Sequence, residues 1–272
     1  MSAGRAPAAA DRVCRLLSRQ PLGGAYALLT FGHPETAQAQ AGQFAMIQPE
    51  ADTNLILRRP FSIMDTDPLR GHFTIFLKAV GPGSKAVFDL REGENARVLG
   101  PLGHGFKPPS PGEAAHLVGG GYGVAPFALF SRHLKKAGVL FHLFYGGRSS
   151  SELPLVAELE RRGIAMTLST DDGSRGEKGW VTAPLLEALD RTSGAARLYA
   201  CGPAAMMHAV SRIAEDRDLS CEVSLDPWMG CGIGTCLGCV VKIQEPGELK
   251  PKNRPACTEG PVFDSRRVVW PH

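Results

Sequence analysis

Gly119-Gly120-Gly121-Tyr122-Gly123-Val124-Ala125-Pro126 follows a short apolar run, 115–118, and opens a helical run over 125–136. A buried strand that passes through a glycine-rich turn into a helix lets a dinucleotide approach the backbone. The stretch is not a clean G-x-G-x-x-G, because Pro126 takes the last slot. A proline in the first helical turn is harmless. Its place between strand and helix favours a nucleotide site, with a plain turn as the alternative.

The same rhythm continues downstream. Strand-like runs at 140–145, 164–169 and 197–200 alternate with helical runs at 153–162, 182–190 and 204–216. Such alternation predicts a parallel α/β sheet. Upstream the texture is different. Short runs at 25–31, 44–48, 59–64, 72–78 and 96–99 are split by Gly, Pro and Asp, with one short helix predicted at 84–90. Strands at this density predict a small antiparallel β-barrel. Lys107-Pro108-Pro109-Ser110-Pro111-Gly112 reads as the linker between the two textures. The resulting division is a disordered tail at 1–11, a β-barrel at 12–107, an α/β domain at 108–218 and a small cysteine-rich module at 219–272.

Within that last module stands Gly230-Cys231-Gly232-Ile233-Gly234-Thr235-Cys236-Leu237-Gly238-Cys239, followed by Cys257. Four thiols within 27 residues, three of them interleaved with glycines, do not form a core-packing pattern. A glycine-rich loop can wrap a [2Fe-2S] cluster with its amides pointing inward, and C-x4-C-x2-C…C is the spacing of plant-type ferredoxins. A zinc site normally shows two close pairs, and only Cys236 and Cys239 make one here. Zinc, disulfides or free thiols remain as the alternatives. Cys14, Cys201 and Cys221 lack ligand-like spacing and are expected to be buried thiols.

Other motifs sit at run ends. Arg59-Pro60-Phe61-Ser62 offers a guanidinium that could clamp a pyrophosphate, or a plain surface arginine. Lys78 precedes Gly81-Pro82-Gly83-Ser84, which opens the short helix. Free amides there would favour a phosphate, and an ordinary turn with Ser84 as N-cap is the alternative. Gly100-Pro101-Leu102-Gly103-His104-Gly105-Phe106 closes the β region. Cys201-Gly202-Pro203 lies at the carboxyl edge of a strand, where α/β sheets bind ligands. Arg148, at another strand end, could meet a ribose or phosphate or simply be solvated. Asp171 and Asp172 read as solvated turn formers. No Ser-His-Asp or Cys-His nucleophile is evident, so no catalytic residue is assigned. The chain offers places for cofactors and little that would act on a small organic substrate.

Composition bounds the remaining classes. The chain has 272 residues, 43% hydrophobic, with 30 basic and 27 acidic residues and a net charge of +3. That balance gives no argument for nucleic acid or a membrane surface. No apolar run approaches the roughly 18 residues that span a bilayer, and the first ten residues lack the apolar stretch of a signal peptide. A reducing cytoplasm is therefore expected.

Taken in order, R-P-x-S, G-x-G-S, G-P-L-G-x-G-F, G-G-G-x-G-V-A-P and C-G-P resemble the ferredoxin–NADP reductase superfamily. With the C-G-x-G-x-C-x-G-C module, residues 12–270 are similar to the electron-transfer subunits of NAD-dependent dihydroorotate dehydrogenases. The resemblance implies that the barrel binds FAD through Arg59, Pro60, Phe61, Ser62, Lys78, Gly83 and Ser84. It implies that Gly120, Gly121, Gly123, Cys201, Gly202 and Pro203 frame NAD. Cys231, Cys236, Cys239 and Cys257 would hold a [2Fe-2S] cluster. The partner would be an FMN-containing catalytic subunit that oxidises dihydroorotate, in a heterotetramer. Subunits of the same layout also serve ferredoxin- or polysulfide-linked reductases that oxidise NAD(P)H, which is the alternative. The chain departs from the family pattern at Asp226, where Glu is common, and at Trp228, where a charged residue is common.

Overall fold

The computed structural model describes residues 8–51, 55–191 and 194–270. The N-terminal half of the fold is a closed barrel of six strands: β1 (Ala10–Gly23), β2 (Tyr26–Gly32), β3 (Phe44–Pro49), β4 (Arg59–Asp67), β5 (His72–Lys78) and β6 (Asn95–Leu102). Their order around the barrel is β1-β2-β5-β4-β3-β6, with every neighbouring pair antiparallel. Closure removes free sheet edges. Leu29, Phe31, Ile47, Ile63, Phe73 and Ile75 are fully buried inside it.

The sequence-predicted tail at 1–11 is corrected in part. Ala10 and Asp11 already belong to β1, while residues 1–7 lie outside the described residues. A strand at 10–23 carries little sequence signal, because few of its side chains face the core: Cys14 and Leu16 are buried, and most of the others are exposed. The short helix α1 (Pro82–Phe88) starts two residues earlier than expected. Gly81 is its N-cap, so Ser84 sits at the third helical position rather than at the cap. The Ser84 hydroxyl accepts from the Val80 and Gly81 amides at 2.9 and 3.1 Å.

The second half is built on a seven-stranded sheet. In chain order it runs β7 (Ala114–Gly120), α2 (Ala125–Lys136), β8 (Phe141–Gly147), α3 (Val156–Arg161), β9 (Met166–Thr170), β10 (Glu177–Lys178), α4 (Thr182–Arg191), β11 (Ala196–Cys201), α5 (Ala204–Asp216) and β12 (Ser220–Ser224). After the cysteine loop come β13 (Val240–Ile243), β14 (Lys252–Pro255), α6 (Ala256–Glu259) and β15 (Val262–Asp264). The sheet order is β10-β9-β8-β7-β11-β12-β15, parallel except for β15, which runs antiparallel to β12. The chain moves outward from β7 to β8 and β9, then returns to place β11 on the other side of β7. That reversal opens a crevice at the carboxyl ends of β7 and β11.

The predicted boundary at 218/219 is likewise corrected. β12 and β15 come from the segment assigned to the cysteine module, yet both pair into the main sheet. Val223 is fully buried there. The cysteine loop is thus an insertion between two strands of the sheet, and only β13 and β14 form a separate ribbon.

Barrel and sheet are joined through β4 and α2. Arg132 donates to the Thr66 carbonyl and hydroxyl, both at 2.8 Å, and Arg162 reaches Asp65 at 2.7 Å. Through Arg132 these charge-assisted contacts link the element carrying Arg59 to the helix that follows Gly123, and through Arg162 to the end of α3.

Candidate active site and metal centre

β4 begins at Arg59 and hydrogen-bonds to β3, opposing Arg59 to Ile47, Pro60 to Met46, Phe61 to Ala45 and Ser62 to Phe44. All four motif residues are half-buried, at the rim of the barrel. The Arg59 guanidinium donates to the Leu57 carbonyl at 2.7 Å, which folds the side chain back toward α1. It lies directly over Gly83: a methyl group there would come within 2.7 Å of Arg59 Cζ. Glycine is therefore the residue that lets an arginine from β4 lie against the start of α1. The two motifs, 24 positions apart, form one cationic cradle suited to a pyrophosphate.

Lys78 ends β5 and points toward the second domain. Its ammonium lies 3.4 Å from Glu152 and 5.1 Å from the centre of the Tyr26 ring. Hydrogen bonding to Tyr26 raises its pKa. Arg148 also pairs with Glu152, at 2.5 Å, and holds that carboxyl down at about 2. Of the two readings left open for Arg148, the structure shows an exposed side chain held by Glu152. Glu152 went unnoticed in the sequence; its only signal was the four-residue spacing from Arg148 in a turn.

The crevice of the sheet brings the two glycine motifs together. Gly119 and Cys201 are register partners on β7 and β11. A methyl group on Gly123 would sit 2.5 Å from the Cys201 carbonyl, and one on Gly120 would sit 2.6 Å from Pro203. Gly120 and Gly123 thus pack against Cys201-Gly202-Pro203 with no room for a side chain at either glycine. Gly121 takes φ of +54° to turn the chain into α2. Cys201 is buried, and burial together with Asp226 pushes its thiol up to about 12. Asp226 is open to solvent, yet protein crowds it closely enough to raise its carboxyl. Burial, then Asp226 and Cys201, also raises the Tyr122 hydroxyl. Tyr122 and Asp226 thus influence each other and Cys201 electrostatically, a grouping not visible in the sequence.

The four cysteines fall into two pairs. Cys231 accepts from the amides of Ile233 and Cys236 at 3.4 and 3.5 Å. Burial raises its pKa, but these donors outweigh it and bring the thiol to about 6. Cys257 accepts from the Gly234 amide at 3.2 Å. Burial and the neighbouring Cys239 push it up to about 12. The Gly238 amide donates to Cys236 at 3.4 Å. Cys239 and Cys257 are buried, Cys231 is half-buried and Cys236 is exposed. Among the described residues, no three His, Cys, Asp or Glu side chains gather around a single-ion position. Paired sulfurs with amide donors suit two irons sharing four thiolates better than one tetrahedral zinc. The loop is pressed onto the barrel at Gly232, where a methyl group would come within 2.6 Å of Met46. Met46 and Leu102 share a buried cluster with Cys239 and Cys257. These two barrel residues carried no functional signal in the sequence.

Comparison with known proteins agrees with this geometry. Residues 226–269 match the iron-sulfur cluster binding domain of dihydroorotate dehydrogenase B, and residues 117–212 match an oxidoreductase NAD-binding domain. The dihydroorotate dehydrogenase B (NAD(+)) electron transfer subunit of Desulforamulus reducens is 34% identical over 243 residues, covering 89% of this chain and 92% of the relative. Its counterpart in Shouchella clausii is 35% identical over 247 residues, covering 90% and 92%. A solved NADH-dependent reduced ferredoxin-NADP oxidoreductase superposes with a TM-score of 0.82 at 28% identity, covering 94% of this chain and 90% of that one. The Neisseria gonorrhoeae ferredoxin NADP+ reductase, with bound FAD and NADP, shares the fold at a TM-score of 0.63 and 18% identity, covering 76% and 91%. Barrel, crevice and paired cysteines define an NAD-linked flavin and iron–sulfur oxidoreductase subunit. The chain belongs to the family of electron-transfer subunits of dihydroorotate dehydrogenase B. The ferredoxin- or polysulfide-linked alternative is not favoured by the two electron transfer subunits or by the matched iron-sulfur domain.

Proposed function

We propose that this chain carries electrons from the FMN of a dihydroorotate-oxidising partner subunit to NAD+, within a heterotetramer. The observation that carries the reading is the two-sided cysteine loop, exposed at Cys236, half-buried at Cys231, and buried in one cluster with barrel residues at Cys239 and Cys257. When bound, the [2Fe-2S] cluster supplies one-electron transfer and FAD supplies the exchange between single electrons and hydride.

The residues then have distinct tasks. Cys231, Cys236, Cys239 and Cys257 hold the cluster, with amides of the loop stabilising negative sulfur. Arg59 binds the FAD pyrophosphate, and Gly83 leaves room for it. Pro60 and Phe61 hold that strand at the rim, where Ser62 would help hold the flavin. Lys78 steadies the flavin side of the domain junction. Ser84 shapes the turn, since its hydroxyl is already committed to two amides. Gly120, Gly121, Gly123, Cys201, Gly202 and Pro203 form the floor on which NAD rests.

An apolar surface supports the partner. Around the outer thiols the loop shows Trp228 (93% exposed), Ile233 and Leu237 to solvent, and Leu57 approaches Gly230 from the barrel. Contiguous exposed apolar groups beside a redox centre mark a docking surface. Among the described residues no helix is long and apolar enough to cross a membrane. Thiols retained for metal suit a reducing compartment, so the proposal places the chain in the cytoplasm.

Reconstitution with an FMN-containing dihydroorotate-oxidising subunit tests the reading: dihydroorotate must drive NADH formation. If reduced ferredoxin or polysulfide supports turnover and dihydroorotate does not, the assignment fails. Arg59→Ala is expected to weaken FAD retention by about 1.5–3 kcal/mol, the range for a hydrogen bond to a charged group. Full flavin occupancy after extensive dialysis would remove Arg59 from the site.

A further inference from the structure

Tyr145-Gly146-Gly147 ends β8, and Gly146 is the register partner of Gly120 on β7. Arg148 therefore leaves the sheet beside the nucleotide crevice, one strand away from its floor. In sheets that bind dinucleotides, the strand after the glycine turn ends near the adenosine ribose. An acid there accepts from the 2′-hydroxyl of NAD, whereas an arginine accommodates the 2′-phosphate of NADP. Here both residue types stand at that place. Glu152 packs over Gly147, where a methyl group would come within 3.1 Å of Glu152 Cβ. Its carboxylate accepts from the Arg148 amide at 3.2 Å, from Arg148 Nε at 3.1 Å and from a second guanidinium nitrogen at 2.5 Å. Lys78 approaches the same carboxylate from the barrel, at 3.4 Å. An exposed ion pair contributes little, but the Glu152 side chain is only 17% exposed. Hydrogen bonds from Arg148 outweigh its burial and keep the carboxyl at about 2.

We propose that Glu152 is a specificity-determining residue: it masks Arg148, so that the chain takes NAD+ and discriminates against NADP+. A free guanidinium matches a phosphate in geometry and charge, and Arg148 is otherwise exposed enough to offer one. Two costs oppose that use. A 2′-phosphate would have to draw the guanidinium away from its carboxylate, and would then lie beside that carboxylate as a like charge. NAD+, with a hydroxyl in that position, meets neither cost. Asp171, the first residue after β9, stands near enough to bear on the Arg148 charge and adds to the negative side of this edge. Lys78 is no substitute for Arg148, because it also lies over the Tyr26 ring. The inference rests on the dinucleotide lying in the crevice and is independent of the partner that supplies electrons.

The test uses FAD-loaded, cluster-containing protein, with NAD+ and NADP+ titrated separately by calorimetry at matched ionic strength in phosphate-free buffer. Glu152→Gln keeps the shape of the side chain and an oxygen for the Arg148 amide, and flavin and iron contents check that the fold is kept. The ratio of NADP+ to NAD+ affinity should rise by roughly tenfold, the weight of one hydrogen bond to a charged group. Arg148→Gln alone should leave that ratio unchanged, because its guanidinium is already taken. Adding Arg148→Gln to Glu152→Gln should cancel the gain, which separates a freed arginine from the mere loss of a negative charge. No gain in Glu152→Gln, a gain that survives in the double variant, or a lower ratio in Arg148→Gln alone would each overturn the masking. Wild-type protein that binds no NAD+ would overturn the crevice reading and this inference with it, a failure distinct from NAD+ binding without the NADP+ response.

Discussion

Cys231 and Cys236 look outward from the loop, whereas Cys239 and Cys257 are part of the core. All four carry the same chemistry, yet the fold asks different things of them. The outer pair is held mainly by loop amides, which leaves its surroundings free to serve a partner. The inner pair also fills space between barrel and sheet, so it belongs to the cluster and to the structure at once. The sharpest way to break this contrast is serine substitution on each side. Cys236→Ser and Cys257→Ser should both empty the site of iron. Both should abolish transfer from dihydroorotate to NAD+, while NADH-to-dye reduction through FAD survives in Cys236→Ser. Only Cys257→Ser should also destabilise the metal-free chain, by about 1–3 kcal/mol, because its hydroxyl is buried in a site shaped for sulfur. The Cys236→Ser chain should stay within about 0.5 kcal/mol, as surface changes usually do. Denaturant unfolding of the metal-free proteins reads the difference directly, and equal midpoints would erase the distinction between the pairs. Equal loss of both activities in Cys236→Ser would contradict the order of carriers.

The outer side can be probed without touching a ligand. Trp228→Asp should leave iron content and NADH-to-dye reduction unchanged and weaken partner binding by roughly 10–100-fold, the usual loss for a central aromatic anchor. Sedimentation or surface binding against the catalytic subunit would measure it. Unaltered affinity would move the docking surface away from the cysteine loop.

The contrast also explains what could be read in advance. The helices at 125–136 and 204–216 end where their apolar periodicity ends, because local burial on one face decides them. The cysteine spacing was legible for the same reason: a wrapping loop is local. What escaped depends on distant partners. β1 shows mostly polar side chains and becomes a strand only by pairing with β2 and β6. β12 and β15 lie on either side of the cysteine loop and are neighbours only through the sheet. In the site, Arg59 and Gly83 each stand out in the sequence, but their contact does not. Met46 and Leu102 looked like ordinary barrel residues, and Glu152 like a surface acid. The inner side of the cluster is thus the less legible one, because it is made by elements from three regions of the chain.

A smaller effect separates acid loss of the fold from acid loss of the cluster. His116 lies inside the sheet on β7, buried, with neither ring nitrogen hydrogen-bonded. Burial, and then the nearby His142, lowers its pKa from 6.5. The unfolded chain therefore takes up this proton before the folded one does. Stability contributed above pH 6.5 is lost as pH falls below it, with a slope of up to about 1.4 kcal/mol per pH unit for one proton. His116→Leu removes this site and should flatten that limb, a relative gain at pH 5.5 of at most about 1.4 kcal/mol. The gain should be the same in metal-free wild type and in metal-free Cys236→Ser, because His116 lies in the sheet rather than in the cysteine loop. If it appears only when the cluster is present, the acid transition belongs to the inner thiols and not to the sheet.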